Sequence, residues 1–168
     1  MVKRRAGGPE TGGSSPLALT TTYYLKRKIM QKLIINTDGG SRNNPGPAGI
    51  GVVFSDEKGE TLATFKEYIG EATNNVAEYK ALILALTKAQ DFQVDEIECR
   101  LDSELVVKQL NGLYKVKDAN MKELFTKVQE LVFFKPVKFV HVRREFNKLA
   151  DKLVNEVIDE ALGVKSSK

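Results

Sequence analysis

Cysteine and histidine each occur once in the 168 residues, as Cys99 and His141. A single cysteine excludes an internal disulfide and any cysteine cluster for zinc, and it fits a reducing compartment such as the cytoplasm. A single histidine excludes histidine-rich metal centres. No apolar run approaches the ~20 residues needed to cross a bilayer, so no membrane association is expected. Acids are scarce only at the start. Residues 1–32 carry seven Lys or Arg and one acid, Glu10, whereas residues 33–168 carry 19 basic and 21 acidic residues. The net charge of +4 therefore resides in the leader. Any nucleic-acid surface on the remainder must be a local patch.

The length suits one domain with a real core. Residues 1–29 contain Gly7-Gly8-Pro9 and Gly12-Gly13-Ser14-Ser15-Pro16, segments too polar and flexible to offset the entropy of ordering. They read as a disordered basic leader, or as an extension upstream of a start at Met30. A targeting peptide or a nucleic-acid arm is the competing reading. The domain is expected over residues 30–163, followed by a polar tail, 164–168.

Within the domain, strand-forming runs are expected at Leu33–Thr37, Ile50–Phe54 and Thr61–Ile69, with a turn-rich loop over 39–49. Helical spacing follows over Val76–Ala89, behind cap-forming Thr73, Asn74 and Asn75. A strand at Ile97–Leu101 precedes helices at Glu104–Leu110 and Met121–Phe133, a strand at Val137–Val142 and a helix at Lys148–Leu162. Leu149, Ala150, Leu153, Val154, Val157, Ile158 and Ala161 mark the buried face of that last helix. His141 shares strand parity with Val137 and Phe139, which favours a core or sheet position. The order β-β-β-α-β-α-α-β-α implies a mixed sheet with helices on its faces.

Four acids stand where lone carboxylates are costly. Asp38 ends an apolar strand and is followed by two glycines, a signal for a sharp turn. Glu78 lies on the apolar stripe of its helix. Asp102 ends another strand, and Asp151 opens the last helix beside its buried face. For any one of them, capping or solvation is as good an explanation as chemistry, because helix N-termini favour negative charge. Together they form an all-oxygen donor set, which suits the hard cations Mg²⁺ or Mn²⁺. Two such ions roughly 3.5–4 Å apart could clamp a scissile phosphate and assist attacking water and leaving oxygen.

The motifs around these acids are specific and occur in order: Thr37-Asp38-Gly39-Gly40-Ser41, Asn44-Pro45-Gly46-Pro47-Ala48-Gly49, Thr73-Asn74-Asn75-x-x-Glu78, Asp102-Ser103 and Asn147-x-x-Ala150-Asp151. In them the chain resembles type 1 ribonuclease H from Leu33 to about Leu162. The resemblance implies an α/β ribonuclease H-like fold, a five-stranded mixed sheet with three antiparallel strands and then two parallel ones, flanked by helices. It implies a monomeric endonuclease that cleaves the RNA strand of RNA–DNA hybrids with two metal ions, leaving 5′-phosphate and 3′-hydroxyl ends. Asp38, Glu78, Asp102 and Asp151 match the catalytic metal ligands. Gly39, Gly40, Asn44, Thr73, Asn74 and Asn75 match positions that contact the hybrid, where amides suit 2′-hydroxyls in a wide minor groove.

The chain departs from the fuller family pattern in three places. The loop before Asp151 has no histidine, leaving Arg143 and Arg144 as candidates for phosphate handling. Residues 111–120 are too short for the basic helical protrusion of many relatives, so Lys115 and Lys117 are what remains of it. Asp118 stands where such enzymes usually place an Asn beside a DNA phosphate. Compact forms of this kind are similar to archaeal and some bacterial members, some of which tolerate other RNA-containing duplexes. Double-stranded RNA cleavage, strand transfer on the same fold, and a non-catalytic hybrid-binding module are the alternatives. Deleting residues 1–29 is expected to leave the thermal unfolding transition and metal-dependent cleavage intact. Loss of that transition in a melting experiment would move the domain boundary upstream.

Overall fold

A computed structural model of the chain describes residues 30–133 and 135–164. The expected leader lies outside them, as does the tail beyond Val164. The elements are β1 (Met30–Ser41), β2 (Gly46–Ser55), β3 (Thr61–Ala72), α1 (Asn74–Ala89), β4 (Val94–Leu101), α2 (Glu104–Leu110), α3 (Ala119–Val132), β5 (Val137–His141), a 3₁₀ turn (Arg144–Phe146) and α4 (Lys148–Leu162). They form one five-stranded sheet in the order β3-β2-β1-β4-β5. β1–β2 and β2–β3 pair antiparallel, while β1–β4 and β4–β5 pair parallel. Both the element order and the sheet agree with the sequence reading.

β1 is central and covered on both faces, so Leu33, Ile34 and Ile35 are all buried, as a doubly covered strand requires. On one face α1 and α3 close the main core. Leu33, Ile35, Val52, Phe54, Tyr79 and Leu82 are its large members. On the other face α4 packs against β2, β3 and β1 through Val154, Val157 and Ile158. Leu149 is 44% exposed and Ala161 is exposed. The buried stripe of α4 (Ala150, Val154, Val157 and Ile158) is thus narrower than its apolar spacing predicts.

The principal correction concerns residues 39–49. β1 does not turn at Gly39-Gly40; it continues, pairing Asp38 with Gly51, Gly39 with Ile50, Gly40 with Gly49 and Ser41 with Ala48. The loop shrinks to residues 42–45. The glycines mark close packing in place of a turn. A Cβ on Gly39 would run into the backbone of Ala77 and Glu78 in α1. A Cβ on Gly51 would run into the Ala150 carbonyl of α4, and one on Gly49 would collide with Val157. Helices on both faces therefore rest directly on strand backbone, as only glycine permits.

His141 takes the sheet position of the two that its parity allows: it ends β5 opposite Leu101 and is exposed there.

Gly39→Ala is expected to destabilise the protein by roughly 2–3 kcal/mol or more, as overpacking against rigid backbone does. Gly40→Ala, whose Cβ would meet only Val154 Cγ1 at 3.5 Å, should remain within about 1 kcal/mol of the parent. Urea unfolding midpoints of the two variants test the contrast.

Candidate active site

Three elements carry the acids to one end of the sheet. Asp38 projects from β1 three residues before its end. Glu78 sits in the second turn of α1, whose start is fixed by Thr73: its Oγ1 accepts from the Val76 N–H at 3.3 Å. Asp102 follows the last residue of β4, and Ser103 caps α2 by accepting from Val106 N–H at 3.4 Å. Asp38 and Glu78 are buried, 7% and 6% exposed. Among the described residues, Asp38, Glu78 and Asp102 offer carboxylate oxygens all within 4.8 Å of one another.

Burial and crowding act on these groups in the same direction. Asp38 is pushed up to about 7, first by desolvation and then by the charges of Asp102 and Asp151; the Gly39 N–H and Arg144 offset this only in part. Glu78 is raised by burial and then by Asp38. Asp102 is raised chiefly by burial. Glu78 Oε2 is buried with no hydrogen-bond partner. An orphaned carboxylate oxygen facing two other acids, with neither histidine nor cysteine in the set, fits an oxygen-ligated divalent cation.

Asp151, the fourth acid, lines the same cavity of about 480 Å³, but its oxygens stand outside the group of three. Arg144 Nη2 lies 3.3 Å from its Oδ1, and Asn155 Nδ2 donates to its Oδ2 at 3.3 Å. The helix that carries it is anchored by Asn147, which is 1% exposed. This N-cap residue makes no capping bond with its side chain. Its amide donates instead to the Thr37 carbonyl at 2.8 Å and accepts from Asn36 Nδ2 at 3.1 Å. The β1–β4 ladder ends at the Thr37–Leu101 pair, and the side chain from α4 takes up the carbonyl there.

The other expected contact residues fall into two groups. Asn44 and Asn74 belong to one network: Asn44 Oδ1 accepts from the Asn74 N–H at 3.0 Å, and Asn74 Oδ1 accepts from Ser41 N–H at 2.9 Å and Ser41 Oγ at 3.1 Å. With both carbonyl oxygens engaged, both amide NH₂ groups are left to donate outward. Asn75 is exposed beside them. Gly39 and Gly40 both line the cavity, Gly39 with backbone alone, because α1 fills the place of a Cβ there. Lys115 and Lys117 lie apart, in the connector between α2 and α3. Arg143 pairs loosely with Glu145 at 3.9 Å. Asp118 is the N-cap of α3, accepting from Met121 N–H at 2.9 Å, which accounts for an acid at that position. Arg42 and Asn155 were not singled out in the sequence. Their available signals were a cation next to the Ser41 turn and an amide one helical turn after Asp151.

The Reverse transcriptase-like family matches residues 36–157. The chain is 46% identical to a ribonuclease HI of Halobacterium salinarum over 125 residues, 74% of this chain and 63% of that protein. It is 43% identical to a bifunctional protein of Mycobacterium tuberculosis over 132 residues, 77% of this chain but only 36% of the relative. The chain thus spans about a third of the mycobacterial relative's length and under two thirds of the halobacterial one's. Among solved structures, LC11-RNase H1 in complex with an RNA/DNA hybrid is 55% identical with a TM-score of 0.74, covering 77% of this chain and 99% of that one. By sequence, sheet topology and the placement of its acids, the chain belongs to the type 1 ribonuclease H family.

Proposed function

We propose that the protein is an endonuclease that hydrolyses the RNA strand of RNA–DNA hybrids and leaves 5′-phosphate and 3′-hydroxyl ends. The observation that carries this reading is the buried carboxylate group beside two outward-facing asparagine amides. The first has the chemistry of a phosphodiester hydrolase and the second that of a hydroxyl reader. The hybrid bound by LC11-RNase H1 supports the same substrate here.

Asp38, Glu78, Asp102 and Asp151 would hold two divalent cations, Mg²⁺ or Mn²⁺. Such ions supply positive charge for the attacking and leaving oxygens of an in-line displacement. The protein's own groups position the strand. Asn44 and Asn74, with their carbonyl oxygens already bonded, present NH₂ donors to 2′-hydroxyl and base acceptors in the wide groove. Asn75 extends that row, and Thr73 contributes beside it. Gly40 keeps the cavity floor clear of side chain. Gly39 can contribute only its backbone, because its open side belongs to α1. Arg144, held at the cavity edge by Asp151, is placed to meet a phosphate, with Arg143, Lys115 and Lys117 further out. Arginine cannot transfer a proton near neutral pH, so its part is charge and orientation. Double-stranded RNA as a second substrate, a monomeric state and a cytoplasmic location belong to the same proposal. No helix among the described residues is long and apolar enough to cross a membrane.

Labelled hybrid, RNA duplex and DNA duplex, each offered with Mg²⁺, Mn²⁺ or EDTA, test the reading. Cleavage with metal, and none in EDTA, is expected for the hybrid and more weakly for the RNA duplex, with the DNA duplex left intact. Asp38→Asn should reduce hybrid cleavage by about 10²–10³-fold, as loss of a reaction-centre group does. Hybrid binding with no cleavage in either metal would overturn the assignment.

A second test follows from the raised acids. Asp38 titrates at about 7 in the folded chain and near 3.9 when unfolded. Between these values the folded state keeps a proton that the unfolded state has lost, so metal-free stability falls as pH rises from about 4 to about 7. In EDTA at pH 8, Asp38→Asn should raise Tm by on the order of 5 °C, and the difference should shrink towards pH 5. Thermal melts across pH measure it; a gap independent of pH would contradict the assigned repulsion.

A further inference from the structure

Asp151 is held from two sides, and only one of its partners belongs to the phosphate-handling loop. On the other side Asn155, one turn along α4, donates from Nδ2 to Asp151 Oδ2 at 3.3 Å and to its backbone carbonyl at 2.9 Å. The far end of this amide is also engaged: Arg42 Nη2 donates to Asn155 Oδ1 at 3.4 Å. The same nitrogen of Arg42 is anchored by Asp159 Oδ1 at 2.8 Å. A chain of contacts thus runs Asp159–Arg42–Asn155–Asp151 along one edge of the cavity.

We propose that Asn155 is the positioning residue for Asp151, and that Arg42, oriented by Asp159, fixes which end of the Asn155 amide faces the acid. The reasoning is chemical. An amide whose oxygen is bound to a guanidinium has only its NH₂ group to offer on the other side. A neutral donor holds a carboxylate in place without cancelling its charge, so the acid remains a strong ligand for a cation. Arg144 holds the other oxygen, but its side chain is 81% exposed and it is the group expected to engage a phosphate. Asn155 is the restraint that persists when Arg144 does so. Arg42 follows Ser41 directly in the short loop that carries Asn44, so the relay also ties the substrate-facing loop to the fourth acid. Outer partners of metal-binding carboxylates act in this way, and their loss typically lowers metal affinity or activity 10–100-fold.

The inference rests on the hydrolase reading above, and one of its measurements is independent of cleavage. In the full chain, Asn155→Ala should lower kcat on hybrid about 10-fold with KM within about twofold, and should weaken Mn²⁺ binding to the substrate-free protein about 10-fold by titration calorimetry. Because Asn155 is exposed, Tm in EDTA should stay within about 2 °C. Arg42→Ala should shift the same quantities in the same direction by less. The double variant should be no worse than Asn155→Ala alone, since the arginine acts through the amide. Parent-like kcat and parent-like Mn²⁺ affinity in Asn155→Ala would overturn the proposal. So would an additive double variant in which Arg42→Ala raises KM, for then Arg42 would be touching substrate directly. If the parent cleaves no hybrid, the hydrolase reading fails, and the Mn²⁺ titrations still decide whether Asn155 positions Asp151.

Discussion

The site depends on a contact between two backbones. At Gly39 the first turns of α1 rest directly on β1, with no side chain between them, where a Cβ would overlap Ala77. That approach brings Glu78 from a helix to within reach of Asp38 on a strand. On the opposite face Gly49 and Gly51 let α4 settle onto β2 in the same manner, which carries Asp151 to the same end of the sheet. Helix-on-sheet packing normally keeps the layers apart by the thickness of their side chains. Glycine removes that thickness at the few positions where carboxylates must meet.

The result is a site that works against the fold that builds it. Burial and mutual repulsion raise Asp38, Glu78 and Asp102 together, and one oxygen of Glu78 has no partner. The surrounding structure holds the arrangement from outside. Thr73 and Ser103 fix the helix starts, and Asn147 ties α4 to β1 at the end of a ladder. In the interior, the Tyr79 hydroxyl donates to Gln109 at 2.9 Å, joining α1 to α2. Apolar burial across the main core offsets the electrostatic penalty. Among these N-cap residues Asn147 stands apart: its side chain ties α4 to β1 in place of capping the helix.

Much of this was legible in the chain. The apolar run Leu33-Ile34-Ile35 and the helical spacing after Thr73 follow from periodicity, and three antiparallel strands before the first helix lead to a mixed sheet. The four acids stood out because charge at buried positions conflicts with local pattern, and such conflicts concentrate at functional sites. Gly39-Gly40 and the glycines of β2 were harder, because glycine signals a turn and a close approach with the same letter. His141 was read as a core or sheet residue, and the structure puts it in the sheet and exposed; alternation gives the face of a strand but not how deeply that face is covered. Asn155 and Arg42 carry no local anomaly at all; an exposed amide and an exposed cation are ordinary surface residues.

The sequence by itself determined the element order, the class of fold and which acids are costly enough to require a purpose, because these follow from short-range periodicity and from the price of burying charge. Only the tertiary structure decided which acids meet, that Asp151 stands outside the group of three with Arg144 and Asn155 on its two oxygens, and that the carbonyl oxygens of Asn44 and Asn74 are engaged within the protein. Those outcomes depend on how closely α1 and α4 approach the sheet, and that distance is set by the absence of side chains on strands far away in sequence.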